Sequence, residues 1–200
     1  MKIKPSDVKK LRDLTGVGMM DVKKALESAD GDVDKAAKYL REKGAQLAES
    51  KSERNASQGV ITSYVHPGDK IGVLVELNCE TDFVAKNEDF KKLGHKLAVH
   101  VAGMHPLYIA PEDVPKDVVD KEKELYKSQL EGKSKEIAKK AIEEKLNSFY
   151  ASVCLLKQPF VLDQEVRVED LISDIVGLLK ENIQVARFIR FEVGGKESNE

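Results

Sequence analysis

The spacing of apolar residues predicts three short helices at the start of the chain. Apolar side chains recur three or four positions apart in three runs, which "TGVG" and "DGD" separate. These positions are Val8, Leu11 and Leu14, then Val22, Ala25 and Leu26, then Val33, Ala36, Ala37 and Leu40. We therefore predict a small three-helix N-terminal domain over residues 1–48, followed by a polar linker over residues 49–58.

Alternating patterns in the rest of the chain predict an antiparallel sheet. "GVITSYVH" alternates, "IGVLVELN" is a largely apolar run, and "PGDK" between them has the residues of a turn. These segments predict a β-hairpin. Near the end, "VARFIRFEV" predicts a last strand with Val185, Arg187, Ile189 and Phe191 on one face.

Helical spacing returns between these strands. Residues 88–103 and the segment "VEDLISDIVGLLKENI" predict amphipathic helices that pack on the sheet. A charged stretch has apolar residues at seven- and four-residue steps, and "EGKS" divides it, which predicts an antiparallel helix pair over about residues 113–149. The positions of this seam are Val119, Tyr126, Leu130, Ile137 and Ala141. The predicted fold class is α+β, with a core over residues 59–193 built on a three-stranded antiparallel sheet and a flexible tail over residues 194–200.

Composition and charge exclude several classes of protein. Of the 200 residues, 34% are charged, which indicates long solvated helix faces. The net charge of -2 gives no basic field, so we expect no direct binding of nucleic acid. No run of eighteen apolar residues predicts a membrane span, and the N-terminus does not resemble a signal peptide. Two cysteines are too few for a disulfide framework, so a reduced, cytoplasmic protein is the simplest interpretation.

Catalytic and metal-binding motifs are weak. The "GKS" of residues 132–134 imitates a phosphate-binding loop, but Lys127 stands where that loop needs glycine. His95, His100 and His105 lie five residues apart, which spreads them around a helix, whereas zinc-binding helices use a spacing of four. We expect no enzyme, no metal site and no cofactor.

Two unusual stretches remain. In "LRDLTGVGMMDVKKAL", Met19 and Met20 are adjacent and cannot both face the core of a helix, so one of them is expected at the surface, flanked by Arg12 and Lys23. Contact with a partner and packing in the core both stay open for this pair.

In "ELNCETDFVAK", an acid and an aromatic residue stand at the junction of two elements. Asn87 already suits the cap of the helix that begins at Glu88, so Asp82 is not needed there, and "TDFVAK" is predicted to form a separate turn. Phe83 either fills the core or points outward to probe a partner's surface.

These two stretches resemble the two signature motifs of the elongation factor Ts family, in the same order. "SYVHPGDKIGVLVEL", "LAVHVA", "PEDVP", "QPFVLD" and "RFIRFEV" also resemble segments of that family, so the resemblance covers nearly the whole chain. Two departures stand out. "EGKS" and "AIEEKL" replace the Gly-Lys-Pro and Gly-Arg of many relatives, and the chain has one core subdomain where the long family members have two.

The resemblance implies guanine-nucleotide exchange on elongation factor Tu, a GTPase, by a chain that binds no nucleotide itself. It implies a UBA-like N-terminal domain and, for this short form, a homodimer. It also implies three groups of contact residues. Docking belongs to Arg12, Met19, Met20, Lys23, Val161 and Leu162; a wedge near the partner's Mg²⁺ site belongs to Thr81, Asp82, Phe83 and Val84; and His66 is a further interface residue.

Two other classes of protein compete with this interpretation. A ubiquitin-associated-like adaptor would bind a peptide or a ubiquitin-like partner without affecting any nucleotide. An enzyme that uses Cys79 or Cys154 would show thiol-sensitive turnover of a small substrate. Neither explains why both unusual stretches occur in one chain.

Overall fold

The computed structural model describes residues 3–130 and 134–195. Over these residues the chain is an α+β protein with a three-stranded antiparallel sheet, as predicted, and it has eight α-helices. The helices are α1 (Pro5–Thr15), α2 (Met19–Ser28), α3 (Val33–Lys51), α4 (Asp82–Ala85), α5 (Glu88–Met104), α6 (Lys116–Gln129), α7 (Lys135–Val153) and α8 (Val168–Leu179). The strands are β1 (Gln58–Val65), β2 (Ile71–Cys79), β3 (Pro159–Phe160), β4 (Asp163–Arg167) and β5 (Ile183–Glu192).

The first three helices enclose a small core of their own. Its buried side chains are Leu11, Val22, Ala25, Leu26, Ala36 and Leu40, all from the predicted apolar faces. Gly16 ends α1 with φ of 70°, and the Asp32 carboxylate caps α3 by accepting from the N–H groups of Asp34 and Lys35. The helix α3 continues to Lys51, past the predicted start of the linker, because Leu47 and Ala48 pack against the core of the following part.

The helix α3 lies directly against α8. A Cβ atom added to Gly44 would be 3.0 Å from the backbone oxygen of Ser173, and one added to Gly177 would be 3.3 Å from the Cα atom of Gly44. Two glycines therefore allow the helix backbones to touch. This crossing joins the three N-terminal helices to the rest of the molecule.

The main sheet has the order β1-β2-β5, and the hairpin β1–β2 forms as predicted. One face is covered by α5 and α8, whose apolar stripes enclose the main core with the inward side chains of β2. On β1 the predicted alternation holds, with Val60, Thr62 and Tyr64 toward this core. An added Cβ atom on Gly94 of α5 would lie 2.5 Å from the Thr62 Oγ1 atom, so this glycine allows α5 to pack closely on the sheet.

The predicted face of the last strand is wrong because β5 contains a β-bulge. The pairing with β2 shifts between Leu77↔Val185 and Glu76↔Arg187, so one extra residue of β5 reverses the alternation. Val185 is buried, whereas Arg187, Ile189 and Phe191 lie on the outer face. Phe188 packs against the core in their place.

The charged helices α6 and α7 contact each other through Tyr126 and Lys145, whose ammonium group lies 5.1 Å from the centre of the Tyr126 ring. Of the predicted seam, Val119 and Leu130 are buried, but Ile137 is 58% exposed and does not join it. The predicted break at "EGKS" falls largely on residues 131–133, outside the described residues, and Ser134 precedes α7.

Candidate functional site

Four of the predicted docking residues line one groove on the N-terminal helices. Arg12 of α1 and Met19, Met20 and Lys23 of α2 surround a groove of about 550 Å³. Its other apolar walls are Ile3, Pro5 and Val8. We call this surface the docking groove.

Neither methionine belongs to the core. Met19 is 57% exposed and Met20 is 66% exposed, so both side chains lie at the surface, which the sequence alone left open. The tight turn at Gly16, whose N–H donates to the Arg12 carbonyl at 2.7 Å, starts α2 immediately beside the end of α1. Flexible, polarisable methionine side chains suit contact with another protein.

The residues 81–84 form a separate turn, as the sequence predicts. The helix α4 is one turn long, and the Thr81 side chain caps it by accepting from the Val84 N–H at 3.4 Å. Phe83 is 82% exposed, so it does not fill the core, whereas Val84 packs against it. We call residues 81–84 the wedge turn.

Asp82 is held in its charged form. The Lys86 ammonium donates to its carboxylate at 2.7 Å, and this hydrogen bond together with the charge of Lys86 lowers the pKa of Asp82. The exposed end of the wedge turn therefore presents a phenyl ring beside a carboxylate that stays ionised at neutral pH.

A polar network that sequence reasoning missed holds the base of the wedge turn. The Glu181 carboxylate accepts from the backbone N–H groups of Glu80 and Thr81, and the Asn182 N–H donates to the Glu80 carboxylate. About a hundred positions separate these partners along the chain, so no spacing could have linked them. The only sequence signal is the run of polar residues between a buried helix and a buried strand.

Val161 and Leu162 lie at the other end of α5. The Val161 N–H donates to Nδ1 of the buried His100 at 3.2 Å, and Leu162 is 69% exposed. His100 Nε2 bonds to Gln158 Oε1 at 2.9 Å, while burial lowers the pKa of His100. A neutral imidazole with its proton on Nε2 satisfies both contacts.

His66 lies just after β1 and is exposed. Its Nδ1 atom is 3.1 Å from the Tyr64 hydroxyl, and the Tyr64 ring packs edge-on against His95. His66, the docking groove, the wedge turn and the Val161–Leu162 pair thus occupy different parts of one scaffold.

The cysteines do not suit nucleophilic chemistry. Burial raises the pKa of both Cys79 and Cys154 to about 11, so the thiols stay protonated at neutral pH. In residues 3–130 and 134–195, no group of three histidine, cysteine, aspartate or glutamate side chains could hold a metal ion. The same residues include no helix long and apolar enough to cross a membrane.

Comparison with known proteins gives a consistent match over nearly the whole chain. The profile of the family described as "Elongation factor TS" matches residues 4–195. A protein called elongation factor Ts from Fervidobacterium nodosum is 52% identical, over 97% of this chain and 100% of the relative. The elongation factor Ts of Thermosipho melanesiensis is also 52% identical, over 94% of this chain and 96% of the relative. The elongation factor Ts of Thermotoga maritima is 48% identical, over 97% of this chain and 98% of the relative. The chain belongs to the elongation factor Ts family.

Proposed function

We propose that this chain is a guanine-nucleotide exchange factor that binds elongation factor Tu·GDP in the cytoplasm and promotes release of GDP. It would act without catalytic residues, metal or cofactor of its own. In this proposal residues 1–48 form a UBA-like docking domain, residues 49–58 a linker, and residues 59–193 the core that carries the wedge turn.

The observation that carries this proposal is the exposed Phe83 on a supported turn. A phenyl ring that is 82% exposed gains free energy only when a partner removes it from water. A ring held on a short capped helix enters a partner with little loss of conformational entropy, since its backbone is already ordered. Inserted between elements of the GTPase, Phe83 would displace the groups that hold Mg²⁺ and phosphate.

The docking surfaces would provide binding free energy. Arg12, Met19, Met20 and Lys23 give the docking groove apolar contact area beside two cations, which suits binding to the G domain of elongation factor Tu. Val161, Leu162 and His66 extend the contact. Binding free energy from these surfaces would offset the cost of distorting the nucleotide site.

Thermodynamic linkage constrains this mechanism. If the chain weakens GDP binding by a given factor, GDP weakens binding of the chain by the same factor. Each tenfold change in affinity corresponds to about 1.4 kcal/mol of coupling. GTP then binds the emptied site and displaces the chain, which is free for another cycle.

A homodimer is the second part of the proposal, and the outer face of the sheet supports it. Opposite the α5–α8 layer, this face presents Ile61, Val65, Leu74, Ile189 and Phe191, each at least 42% exposed. Contiguous apolar area of this kind is unusual on a monomer. A second copy of the sheet would cover it and would supply the second core subdomain that long relatives carry in one chain.

Release of a fluorescent GDP analogue from elongation factor Tu tests the exchange function. The chain, added at a tenth of the GTPase concentration, should accelerate release for the whole GTPase population, because each molecule acts repeatedly. Stable binding without acceleration would contradict the proposal and favour the adaptor interpretation.

A further inference from the structure

We propose that Glu181 is a positioning residue that fixes the direction of Phe83 in the wedge turn. Glu181 lies between α8 and β5, and its carboxylate accepts hydrogen bonds from Glu80 and from Thr81, which is one of the predicted contact residues. The inference rests on the exchange function proposed above, and it assigns a role to a residue that neither signature motif includes.

The Glu181 carboxylate accepts hydrogen bonds from three donors at the base of the wedge turn. Its Oε2 atom accepts from the N–H of Glu80 at 3.1 Å and from the N–H of Thr81 at 3.0 Å. Its Oε1 atom accepts from the Thr81 hydroxyl at 2.6 Å. Because the acceptor is ionised, these bonds are stronger than bonds between neutral groups.

The same hydroxyl connects Glu181 to the helix that carries Phe83. Thr81 Oγ1 donates its proton to Glu181 and accepts from the Val84 N–H, so the cap of α4 is oriented by Glu181. Cys79 adds a further contact on the inner side, with its Sγ atom 3.2 Å from the Thr81 carbonyl. The turn is too short to be stable alone, and these contacts fix its orientation.

Glu181 itself has a rigid support. The next residue, Asn182, is buried; its N–H donates to the Glu80 carboxylate at 2.7 Å. The Asn182 side-chain amide donates to the carbonyls of Ser52 and Arg54 at 3.2 and 2.7 Å, directly after the end of α3. The network therefore joins the wedge turn to the helix that leads from the docking groove.

Glu181→Gln tests this role with almost no change in volume. A glutamine is neutral, and its NH₂ group would either face the two backbone N–H donors or reverse the hydrogen bond with the Thr81 hydroxyl. In both orientations the three bonds to a charged acceptor are not all kept. We expect the maximal rate of GDP release to fall about tenfold, because a ring that is no longer fixed in direction must lose conformational freedom before it can enter the partner. The concentration of chain that gives half the maximal rate should change little, since the docking groove is intact.

A double-mutant cycle separates positioning from general destabilisation. In the Phe83→Ala background, Glu181→Gln should lower the rate no further, because there is no ring left to direct. An equal loss in both backgrounds would overturn the proposal, as would full activity of Glu181→Gln itself. Glu169→Gln is the matched control, since that half-buried carboxylate also accepts a short hydrogen bond, from the Lys157 ammonium at 2.7 Å, and its neutralisation should leave the parent rate unchanged.

A second readout needs no partner. The chain contains no tryptophan, so a Phe83→Trp variant carries a single indole at the wedge. Its time-resolved fluorescence anisotropy should show faster local motion when Glu181→Gln is added, with the thermal midpoint of unfolding nearly unchanged. Unchanged local motion would overturn the positioning role. If instead motion increases but the parent chain fails to accelerate GDP release, the exchange function is wrong while the structural support of the turn stands.

Discussion

Three large apolar side chains at the predicted contact sites are exposed to water. Phe83, Met19 and Met20 are each more than half exposed, whereas Leu11 and Phe90 of the two cores are fully buried. Truncating an exposed side chain costs little stability but removes whatever it contributes to binding. Effects on function at these positions can therefore be measured without loss of the fold.

The buried His100 predicts that the chain loses stability on mild acidification. Burial lowers its pKa from the ordinary value of 6.5, and a proton on Nδ1 would face the Val161 N–H. Below about pH 6.5 the unfolded chain therefore binds more protons at this residue than the folded chain, and the free energy of unfolding falls. Urea denaturation at pH 7.5 and pH 5.0 measures the loss.

His100→Gln is the variant that isolates this contribution. Glutamine can still accept from the Val161 N–H and donate to Gln158, but it does not titrate. The variant should lose less stability than the parent between the two pH values. An equal loss in both chains would show that His100 does not cause the acid sensitivity.

At the level of elements, the two faces of the main sheet have different surroundings. The inner face packs on α5 and α8, while the outer face carries an apolar patch that ends at the ion pair of Glu76 and Arg187, 2.7 Å apart. The bulge in β5 creates this division, since it turns Ile189 and Phe191 outward.

The outer face predicts a dimer that a single charge abolishes. In light scattering after size exclusion, the parent chain should have twice the mass of the 22.3 kDa protomer. Ile189→Lys should give a monomer, because a buried unpaired ammonium is costly at an interface. Ile189 is 42% exposed in one chain, so the far-UV circular dichroism should be retained.

A matched control tests whether loss of the dimer is specific to the outer face of the sheet. Leu125→Lys introduces the same charge at an exposed leucine of α6 and should leave the dimer intact. A parent chain that scatters as a 22.3 kDa particle would refute the homodimer.

Local patterns predicted most elements but not their long-range contacts. The hairpin, α5 and the separate wedge turn follow from alternation, helical spacing and the cap at Asn87, all of which are local. The bulge in β5 was missed because pairing with β2 determines it. The support from Glu181 was missed because it joins positions about a hundred residues apart.

At the scale of the whole molecule, docking groove and wedge turn are carried by one continuous framework. The helix α3 leaves the N-terminal helices, crosses α8 at Gly44 and Gly177, and ends where Asn182 binds the carbonyl of Ser52. We therefore expect that a partner held at the groove would meet Phe83 at a defined place. In the proposed mechanism, the docking groove provides affinity and the Phe83 ring accelerates GDP release.

A titration of GDP release from elongation factor Tu with three chains tests this division most directly. With Phe83→Ala, the maximal release rate should fall by tenfold or more while the half-saturating concentration changes little; with Met20→Ala, the half-saturating concentration should rise several-fold while the maximal rate is retained. If Phe83→Ala released GDP as fast at saturation as the parent chain, Phe83 would not be the wedge and the central claim would be wrong.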